Sequence, residues 1–259
     1  MKKVLMMFYL WGGFFASVSY ATEQTLFDQS RNRSIPIKID LPNDPTNCSL
    51  EEPCSVALVS AGYGVAHTDY QFLTRPLTDI GFMVVAIGHE LPSDPPLSVS
   101  GNLYETRQEN WKRGAQTLVF VKETLQKQYK NYNFNELVLI GHSNGGDISA
   151  WLANSLSSNT GDESFIRSLV TLDHRRVPLP RTDLIDVFSI RASDFAADKG
   201  VLLTDEERST YNSCETTIAK AKHNDMTDGG PDWLKQELAE LVFNFVVGVS
   251  CDLLEETML

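Results

Sequence analysis

The sequence predicts an α/β fold with a mostly parallel β-sheet, and two observations support this prediction. Short apolar segments alternate along the chain with longer segments whose apolar residues recur at helical spacing. In addition, the segment FMVVAI (Phe82–Ile87) is apolar at every position, as expected for a central parallel strand that is buried on both faces. The sequence contains no internal repeat and no linker long enough to separate domains, so we expect one domain over residues 22–259.

The strands and helices follow from these patterns in chain order. The predicted strands, of which the first two form a hairpin, are Gln24–Phe27, Ile35–Leu41, Val56–Ser60, Phe82–Ile87, Leu137–Ile140, Ser168–Leu172, Val187–Arg191 and Thr216–Ala221. The predicted helices are Tyr70–Ile80, Tyr104–Gln128, Gly146–Ser157, Asp205–Tyr211 and Trp233–Val247. We therefore expect an eight-stranded, twisted sheet with helices on both faces. Open parallel sheets carry their chemistry at the carboxyl ends of their strands, so the loops after these strands should line one rim.

The N-terminal segment has the pattern of a signal peptide. Lys2 and Lys3 precede an apolar run, Val4–Phe15, and residues 19–21 (SYA) place small residues at the two positions that a signal peptidase recognises. We predict cleavage after Ala21, which makes residues 1–21 the signal peptide. A membrane anchor is the alternative, but the apolar run is short for a membrane span. The mature protein is therefore expected to be exported, either periplasmic or secreted, with no stable membrane anchor.

The charge of the chain restricts the kind of partner. The formal net charge is −12, and removal of the signal peptide, which carries two lysines and no acidic residue, makes it −14. Such an acidic surface argues against nucleic acid or another polyanion as a partner, because like charges repel. It is compatible with a small-molecule substrate, and the sequence favours no particular oligomeric state.

The four cysteines all follow the predicted signal peptide, and an even number in an exported protein favours disulfides. Cys48 and Cys54 flank a short polar loop and form the simplest pair, which leaves Cys214 to pair with Cys251. Four cysteines by themselves allow three connectivities. A metal site is the alternative, but no two of the cysteines are close enough to form the usual ligand pair. We expect no metal and no organic cofactor.

The segment LVLIGHSNGGDISA (Leu137–Ala150) contains the strongest functional motif. Four apolar residues are followed by Gly-His-Ser-Asn-Gly and then by residues that can begin a helix. In a Gly-x-Ser-x-Gly turn the glycines permit a sharp strand-to-helix bend, which exposes the serine hydroxyl for attack on a carbonyl carbon. The dipole of the following helix favours negative charge that develops there. We therefore predict that Ser143 is a nucleophile, and an ordinary strand-to-helix turn is the alternative.

A serine nucleophile needs a base, and the chain contains five histidines. His223 follows the last predicted strand and is the last histidine in the chain, which agrees with the order serine, acid, histidine. We predict that His223 is the base, and a surface histidine in a polar loop is the alternative. His142 lies inside the bend and is expected to pack there. The remaining histidines are His67, His89 and His174, of which the last two could lie near the same rim.

Three aspartates are candidates for the group that orients the base. Asp194 lies three residues past Arg191, the end of a predicted strand, and is preferred. Asp173 directly follows the preceding strand, whose end lies only about 5 Å from its neighbour in a sheet. Asp198 lies four residues beyond Asp194. Asp173 and Asp198 remain alternatives, and each of the three aspartates could instead cap a helix or begin a turn.

The oxyanion that forms during acyl transfer needs hydrogen-bond donors. One should be the backbone N–H of Asn144, which follows the predicted nucleophile. The other is expected from the loop SAGYG at residues 60–64, with the N–H of Tyr63 preferred, because glycines let the backbone approach a substrate closely. A phosphate-binding loop is the alternative, but no lysine follows and the spacing differs from that motif.

Five segments between about Arg31 and Val247 carry a family resemblance. They are residues 31–36 (RNRSIP), 60–70 (SAGYGVAHTDY), 141–146 (GHSNGG), 192–194 (ASD) and 222–225 (KHND). In these segments the sequence resembles the α/β-hydrolase superfamily, within it the dienelactone hydrolases, secreted platelet-activating-factor acetylhydrolases and related esterases. The resemblance implies a triad of Ser143, Asp194 and His223, with oxyanion N–H groups from Tyr63 and Asn144. The family often has a histidine where this chain has Ala61.

Together, the motifs and the resemblance predict an exported serine hydrolase that cleaves carboxylic esters through a Ser-His-Asp triad and an acyl-enzyme intermediate. A lipase, thioesterase or serine peptidase would use the same triad, and a non-catalytic binding protein of this fold is an alternative of another class. The segment between Leu172 and Val187 is too short for a helical crossover or a full lid. We therefore expect an open site with a minimal lid and a small-molecule ester or acyl compound as partner.

Overall fold

A sheet of eight strands runs through the molecule, of which a computed structural model describes residues 21–157, 164–211 and 213–256. Its strands are β1 (Ala21–Asp28), β2 (Arg33–Asp40), β3 (Cys54–Ser60), β4 (Met83–Ile87), β5 (Tyr132–His142), β6 (Ile166–Leu172), β7 (Asp186–Arg191) and β8 (Ser213–Thr217). They lie in the order β1-β2-β4-β3-β5-β6-β7-β8. β2 is antiparallel to β1 and β4, and the remaining pairs are parallel. The predicted fold class is confirmed. Apart from Ala21, the predicted signal peptide lies outside the described residues.

The register of the central strands brings three strand ends to the same edge. β5 lies between β3 and β6, with Gly141 opposite Ser60 and His142 opposite Leu172. The residues that follow these three strands therefore start from neighbouring points at the carboxyl edge of the sheet, where open α/β folds place their ligands.

Helices cover the sheet on both faces. They are α1 (Gln71–Asp79), α2 (Leu103–Thr106), α3 (Gln108–Gln128), α4 (Asn144–Ser157), α5 (Asp205–Tyr211), α6 (Asp232–Val246) and α7 (Cys251–Glu256). α3 and α4 pack on one face around the fully buried Trp111, and α1 and α6 pack on the other through Leu73 and Leu238. Neighbouring strand residues point to opposite faces, so Val85 joins the first cluster and Val84 the second. Burial of each such side chain contributes about 1.5–3 kcal/mol.

Two connections that follow strands at the carboxyl edge differ in their helix content. Residues 173–185 connect β6 to β7 without a helix, which agrees with the expected minimal lid. The long helix predicted over Tyr104–Gln128 is divided at Arg107 into α2 and α3. The Arg107 side chain donates from Nε to the carbonyl of Ser98 at 2.8 Å, so this break ties the helix to the loop that precedes it.

The last strand lies earlier in the chain than the predicted Thr216–Ala221. It spans Ser213–Thr217, after which the N–H of Ile218 donates to the carbonyl of Arg191 at 2.9 Å and the chain turns. Ile218 and Ala221 are buried beneath this turn. Their apolar character therefore reflects burial in a turn, which periodicity alone does not distinguish from burial in a strand.

Two disulfides join the four cysteines, and they are the pairs that the sequence favours. Cys48–Cys54 closes the loop before β3, and Cys214–Cys251 links β8, at one edge of the sheet, to α7. Among the residues that the structure describes, no helix combines the length and the hydrophobicity needed to cross a membrane.

Candidate active site

Ser143 lies in the tight turn between β5 and α4. Its backbone is in the left-handed region, with φ of +53°, which residues with a side chain rarely adopt. The Ser143 N–H donates to the carbonyl of Leu172 at 2.8 Å. A Cβ atom on Gly141 would collide with the backbone of Gly145, and one on Gly145 would collide with the carbonyl of Ser60. Both glycines are therefore required by close backbone approach, and the turn holds the half-buried serine at the carboxyl edge.

His223 follows β8 and contacts Asp173 with its ring. His223 Nδ1 lies 2.5 Å from Asp173 Oδ2, and the carboxylate is fully buried. Because an ionised carboxylate can only accept, Nδ1 carries the proton and donates it. In the neutral ring Nε2 is then the unprotonated nitrogen, which is the form that a general base needs.

Asp173 is surrounded by cationic groups. Oδ2 also accepts from Arg175 Nη2 at 2.9 Å, while Oδ1 accepts from the N–H of Ala192 at 3.2 Å and lies 2.8 Å from Arg191 Nη2. Burial alone would raise the pKa of Asp173, but the hydrogen bond from His223 and the charges of Arg191 and Arg175 outweigh burial and lower the pKa to about 2. Asp173 is therefore ionised throughout the pH range in which an imidazole can act as a base.

The preferred acid, Asp194, contacts a different part of His223. Its Oδ1 accepts from the backbone N–H of His223 at 3.0 Å, and the residue is exposed. Asp198 pairs with Arg176. The expectation that Asp194 orients the ring is therefore corrected: the partner of the ring is Asp173, which was the first alternative. The reason is positional, because Asp173 directly follows β6, the strand beside β5.

Asn144, the first residue of α4, is held by its side chain in a buried network. Its Oδ1 accepts from Trp111 Nε1 at 3.0 Å, and its Nδ2 donates to Asn110 Oδ1 at 2.8 Å and to Glu90 Oε1 at 3.1 Å. Burial raises the pKa of Glu90, although hydrogen bonds from Asn110 and Asn144 oppose this shift. These contacts fix the residue whose backbone N–H is the predicted oxyanion donor.

The loop that contains Tyr63 is anchored at Gly62, and the Tyr63 side chain contacts a second loop. The N–H of Gly62 donates to the Tyr70 hydroxyl at 2.9 Å, and the N–H of Leu97 donates to the Tyr63 hydroxyl at 3.1 Å. Gly64 has φ of +76°, which favours glycine. The second predicted oxyanion donor therefore follows a backbone N–H that the Tyr70 hydroxyl holds in place.

Three histidines are buried at or near the same edge of the sheet. Burial lowers the pKa of His89, His142 and His174 to about 3 in each case, so all three are neutral at neutral pH. Burial also lowers the pKa of the partly exposed His67. Of the histidines in the described ranges, His223 is the one that pairs with a carboxylate. Within the same ranges no group of three or more His, Cys, Asp or Glu side chains is arranged to hold a metal ion.

Sequence analysis missed the two arginines at Asp173. Arg191 is the last residue of β7 and is 3% exposed, and Arg175 follows Asp173 by two residues. A charged residue at the end of an otherwise apolar strand is the signal that could have indicated Arg191, because a buried cation requires an anionic partner. Arg175 lies in a polar loop, where arginine gives no comparable signal.

The strand order, the antiparallel β2 and the turn that carries Ser143 define the α/β-hydrolase fold, and the chain has this fold. No protein-family model matches the sequence, and no curated protein matches it significantly.

Several solved structures share the fold. A ferulic acid esterase from Streptomyces cinnamoneus superposes with a TM-score of 0.63 at 14% identity, over 90% of this chain and 89% of that chain. A dienelactone hydrolase-like promiscuous phosphotriesterase from metagenomic libraries gives 0.61 at 16% identity, over 89% and 99%. A fungal esterase from Rhizomucor miehei gives 0.58 at 11% identity, over 90% and 84%. At these identities the similarity establishes the fold alone.

Proposed function

We propose that this chain is an exported serine hydrolase that cleaves carboxylic esters, with Ser143 as nucleophile, His223 as base and Asp173 as the acid that orients the base. The observation that carries the proposal is the 2.5 Å contact between His223 Nδ1 and Asp173 Oδ2, at the sheet edge where Ser143 occupies its left-handed turn. The esterases among the structures of the same fold support an ester as substrate.

In the proposed reaction the Ser143 hydroxyl attacks the acyl carbon of the ester while His223 Nε2 accepts its proton. The imidazolium is stabilised by the ionised Asp173 and then returns the proton to the leaving alcohol. Water attacks the acyl-enzyme by the same route and releases the carboxylic acid. The steps balance without a metal or an organic cofactor.

The N–H groups of Tyr63 and Asn144 are proposed to stabilise the oxyanion. The Asn144 side chain is held by three hydrogen bonds, and the Tyr63 loop is held by the hydrogen bond from the Gly62 N–H to the Tyr70 hydroxyl, so both donors lie beside anchored groups. Donors that are already oriented need no reorganisation when the charge develops, and one such donor is worth roughly 10²–10³ in rate.

Export is proposed from the N-terminal pattern and from the disulfides. Residues 1–21 carry the predicted signal peptide, and all four cysteines are paired as Cys48–Cys54 and Cys214–Cys251. Stable disulfides are typical of oxidising compartments, which supports a periplasmic or secreted protein.

The direct test uses the mature protein, residues 22–259, and a chromogenic short-chain ester. We expect Ser143→Ala to abolish turnover while the circular dichroism spectrum and the melting temperature stay close to those of the parent. A fluorophosphonate probe should label the parent at Ser143 and leave the variant unlabelled, because the probe requires an activated nucleophile.

The same probe distinguishes the alternative classes. A parent protein that is folded but not labelled would be a non-catalytic binding protein, and the proposed function would be wrong. If the parent is labelled but prefers thioesters, long-chain lipids or peptides, the proposed triad stands and the proposed substrate class is wrong.

A further inference from the structure

A chain of hydrogen bonds passes through His142, the residue before Ser143, and connects two loops of the site. The N–H of Gly62 donates to the Tyr70 hydroxyl at 2.9 Å, and this hydroxyl lies 2.9 Å from His142 Nδ1. His142 Nε2 lies 3.0 Å from the backbone carbonyl of His223. The chain therefore links the Tyr63 loop to the His223 loop through the residue that precedes Ser143.

The hydrogen-bond chain begins at a donor, the N–H of Gly62, and ends at an acceptor, the carbonyl of His223. These two groups determine the direction of every hydrogen bond between them. The carbonyl of His223 can only accept, so His142 Nε2 carries a proton and donates it. Burial lowers the pKa of His142 to about 3, so the ring is neutral and Nδ1 is an acceptor. The Tyr70 hydroxyl must then donate to Nδ1, and its oxygen accepts from Gly62. The Tyr70 hydroxyl and the His142 ring therefore each accept one hydrogen bond and donate one.

The contacts of His223 show that the hydrogen-bond chain is one of three attachments that hold this residue. Three parts of this residue have partners on three different elements: its ring bonds to Asp173, its N–H to Asp194 at 3.0 Å, and its carbonyl to His142. The carbonyl also receives the N–H of Met226 at the longer distance of 3.4 Å. In addition, the rings of His142 and His223 lie 5.0 Å apart between centroids.

Packing alone does not require these groups. Tyr70 is 1% exposed and His142 is 3% exposed, and an apolar pair of similar size would fill the same volume without a desolvation cost for polar atoms. A fully satisfied polar chain adds what apolar packing lacks, which is a fixed distance and direction between the groups at its ends.

We propose that His142 is a positioning residue that holds His223 in register with Ser143, and that Tyr70 extends this coupling to the oxyanion loop. The inference rests on the proposed function, because His223 must act as the base for its position to matter. Misplacement of a reacting group by about 1 Å can cost on the order of 100-fold in rate. Loss of these hydrogen bonds should therefore lower kcat and leave KM nearly unchanged, since the His142 and Tyr70 side chains are buried and offer no surface to a substrate.

The experiment compares variants that remove the bonds with one that keeps them. His142→Leu fills most of the ring volume and removes both bonds, whereas His142→Gln keeps one donor and one acceptor on a planar group. We expect His142→Leu to lower kcat by about tenfold or more, and His142→Gln to stay within about threefold of the parent. KM for the chromogenic ester should change by less than about twofold in both variants.

A second pair of variants uses the other end of the chain. Tyr70→Phe should lower kcat severalfold, and the double variant with His142→Leu should be no worse than His142→Leu alone, because both changes break the same chain. Tyr132→Phe is the matched control: it also removes one tyrosine hydroxyl, at the opposite end of β5, roughly 30 Å away. It should leave kcat unchanged.

Three outcomes would overturn the inference. The first is a folded His142→Leu variant with the kcat of the parent, and the second is a loss in His142→Gln as large as in His142→Leu. The third is a set of strictly additive losses in the double variant. Should His142→Leu not fold, a Tyr70→Phe variant with the kcat of the parent, or a loss in His142→Gln larger than that in Tyr70→Phe, would overturn the inference. A parent protein that fails to react with the fluorophosphonate would instead remove the proposed function, and with it this inference.

Discussion

Asp173 combines complete burial with a strongly acidic carboxyl group. Its pKa is lowered to about 2 because the hydrogen bond from His223 and two guanidinium groups, those of Arg191 and Arg175, outweigh the effect of burial. The same partners fix the orientation of the carboxylate, since both of its oxygens are occupied. In the proposed mechanism Asp173 therefore orients and stabilises the imidazolium but does not take its proton.

Two aspartates bond to His223, Asp173 to its ring and Asp194 to its backbone N–H, and separate substitutions distinguish their roles. We expect Asp173→Asn to lower kcat/KM by roughly 10³–10⁴-fold, because an amide favours the wrong tautomer of His223. Asp194→Asn removes at most one exposed, charge-assisted bond to a backbone N–H and should cost less than about tenfold. Both values are measured with the chromogenic ester on protein shown to be folded by circular dichroism. The assignment of Asp173 would be refuted by the reverse order of the two losses.

The elements that carry the site are β5 and β6, which lie side by side. Ser143 and Asp173 are the first residues beyond these strands, and both are left-handed, with φ of +53° and +48°. The ladder of backbone hydrogen bonds continues through them, because Ser143 N–H donates to Leu172 and Asp173 N–H donates to Ile190, each at 2.8 Å. The backbones of the proposed nucleophile and acid are thus fixed by the sheet itself, whereas the proposed base, His223, lies in a loop beyond β8.

The two disulfides should differ in their contribution to stability. Cys48–Cys54 spans 6 residues and Cys214–Cys251 spans 37 residues. By loop-closure entropy the short loop is worth roughly 2 kcal/mol and the long one roughly 4 kcal/mol. We expect Cys214→Ala/Cys251→Ala to lower the free energy of unfolding in urea by more than Cys48→Ala/Cys54→Ala does. Equal losses, or a larger loss from the short loop, would contradict this order.

Features that depend on neighbouring residues could be predicted from the sequence, whereas contacts between residues far apart in the chain could not. The turn at Ser143 is specified by residues 141–145, so the motif alone located it. The choice between Asp173 and Asp194 depends on which carboxylate reaches a ring that is 50 or 29 residues away in the chain. That choice is made by strand order and loop conformation, which local patterns do not contain.

At the scale of the whole molecule, three buried neutral histidines make stability depend on pH. The pKa of His89, His142 and His174 is about 3 in the folded protein, against an ordinary value of 6.5. Below pH 6.5 the unfolded chain therefore binds protons that the folded protein does not, and stability falls as the pH decreases. Asp147 acts in the opposite sense below about pH 6, because burial raises its pKa to about 6. The three histidines together change the stability more than Asp147 does, so the net effect is a loss of stability as the pH decreases.

We therefore expect the free energy of unfolding to be lower at pH 5 than at pH 7 by about 2–4 kcal/mol. Urea denaturation at the two pH values measures this difference. His89→Gln removes one of the three titrating groups and should make the pH dependence shallower. A free energy of unfolding that is equal at the two pH values, or higher at pH 5, would be inconsistent with neutral buried histidines.

The overall architecture was predictable because it depends on periodicity summed over many residues. The strand Phe82–Ile87 was recognised by its uninterrupted apolar side chains, and the structure has β4 at Met83–Ile87. Roles that arise from a single contact were not predictable in this way. His142 was expected only to pack, because no sequence pattern indicates that its ring spans Tyr70 and the carbonyl of His223.

The link between Cys214 and Cys251 has a practical consequence for anyone who purifies this protein. His223 lies between the two cysteines, in a segment that includes an exposed loop. A protease that nicks the chain once in this segment leaves both fragments covalently attached, so they migrate together on a gel until a reducing agent is added. Preparations that lose activity on storage should therefore be inspected with and without reductant.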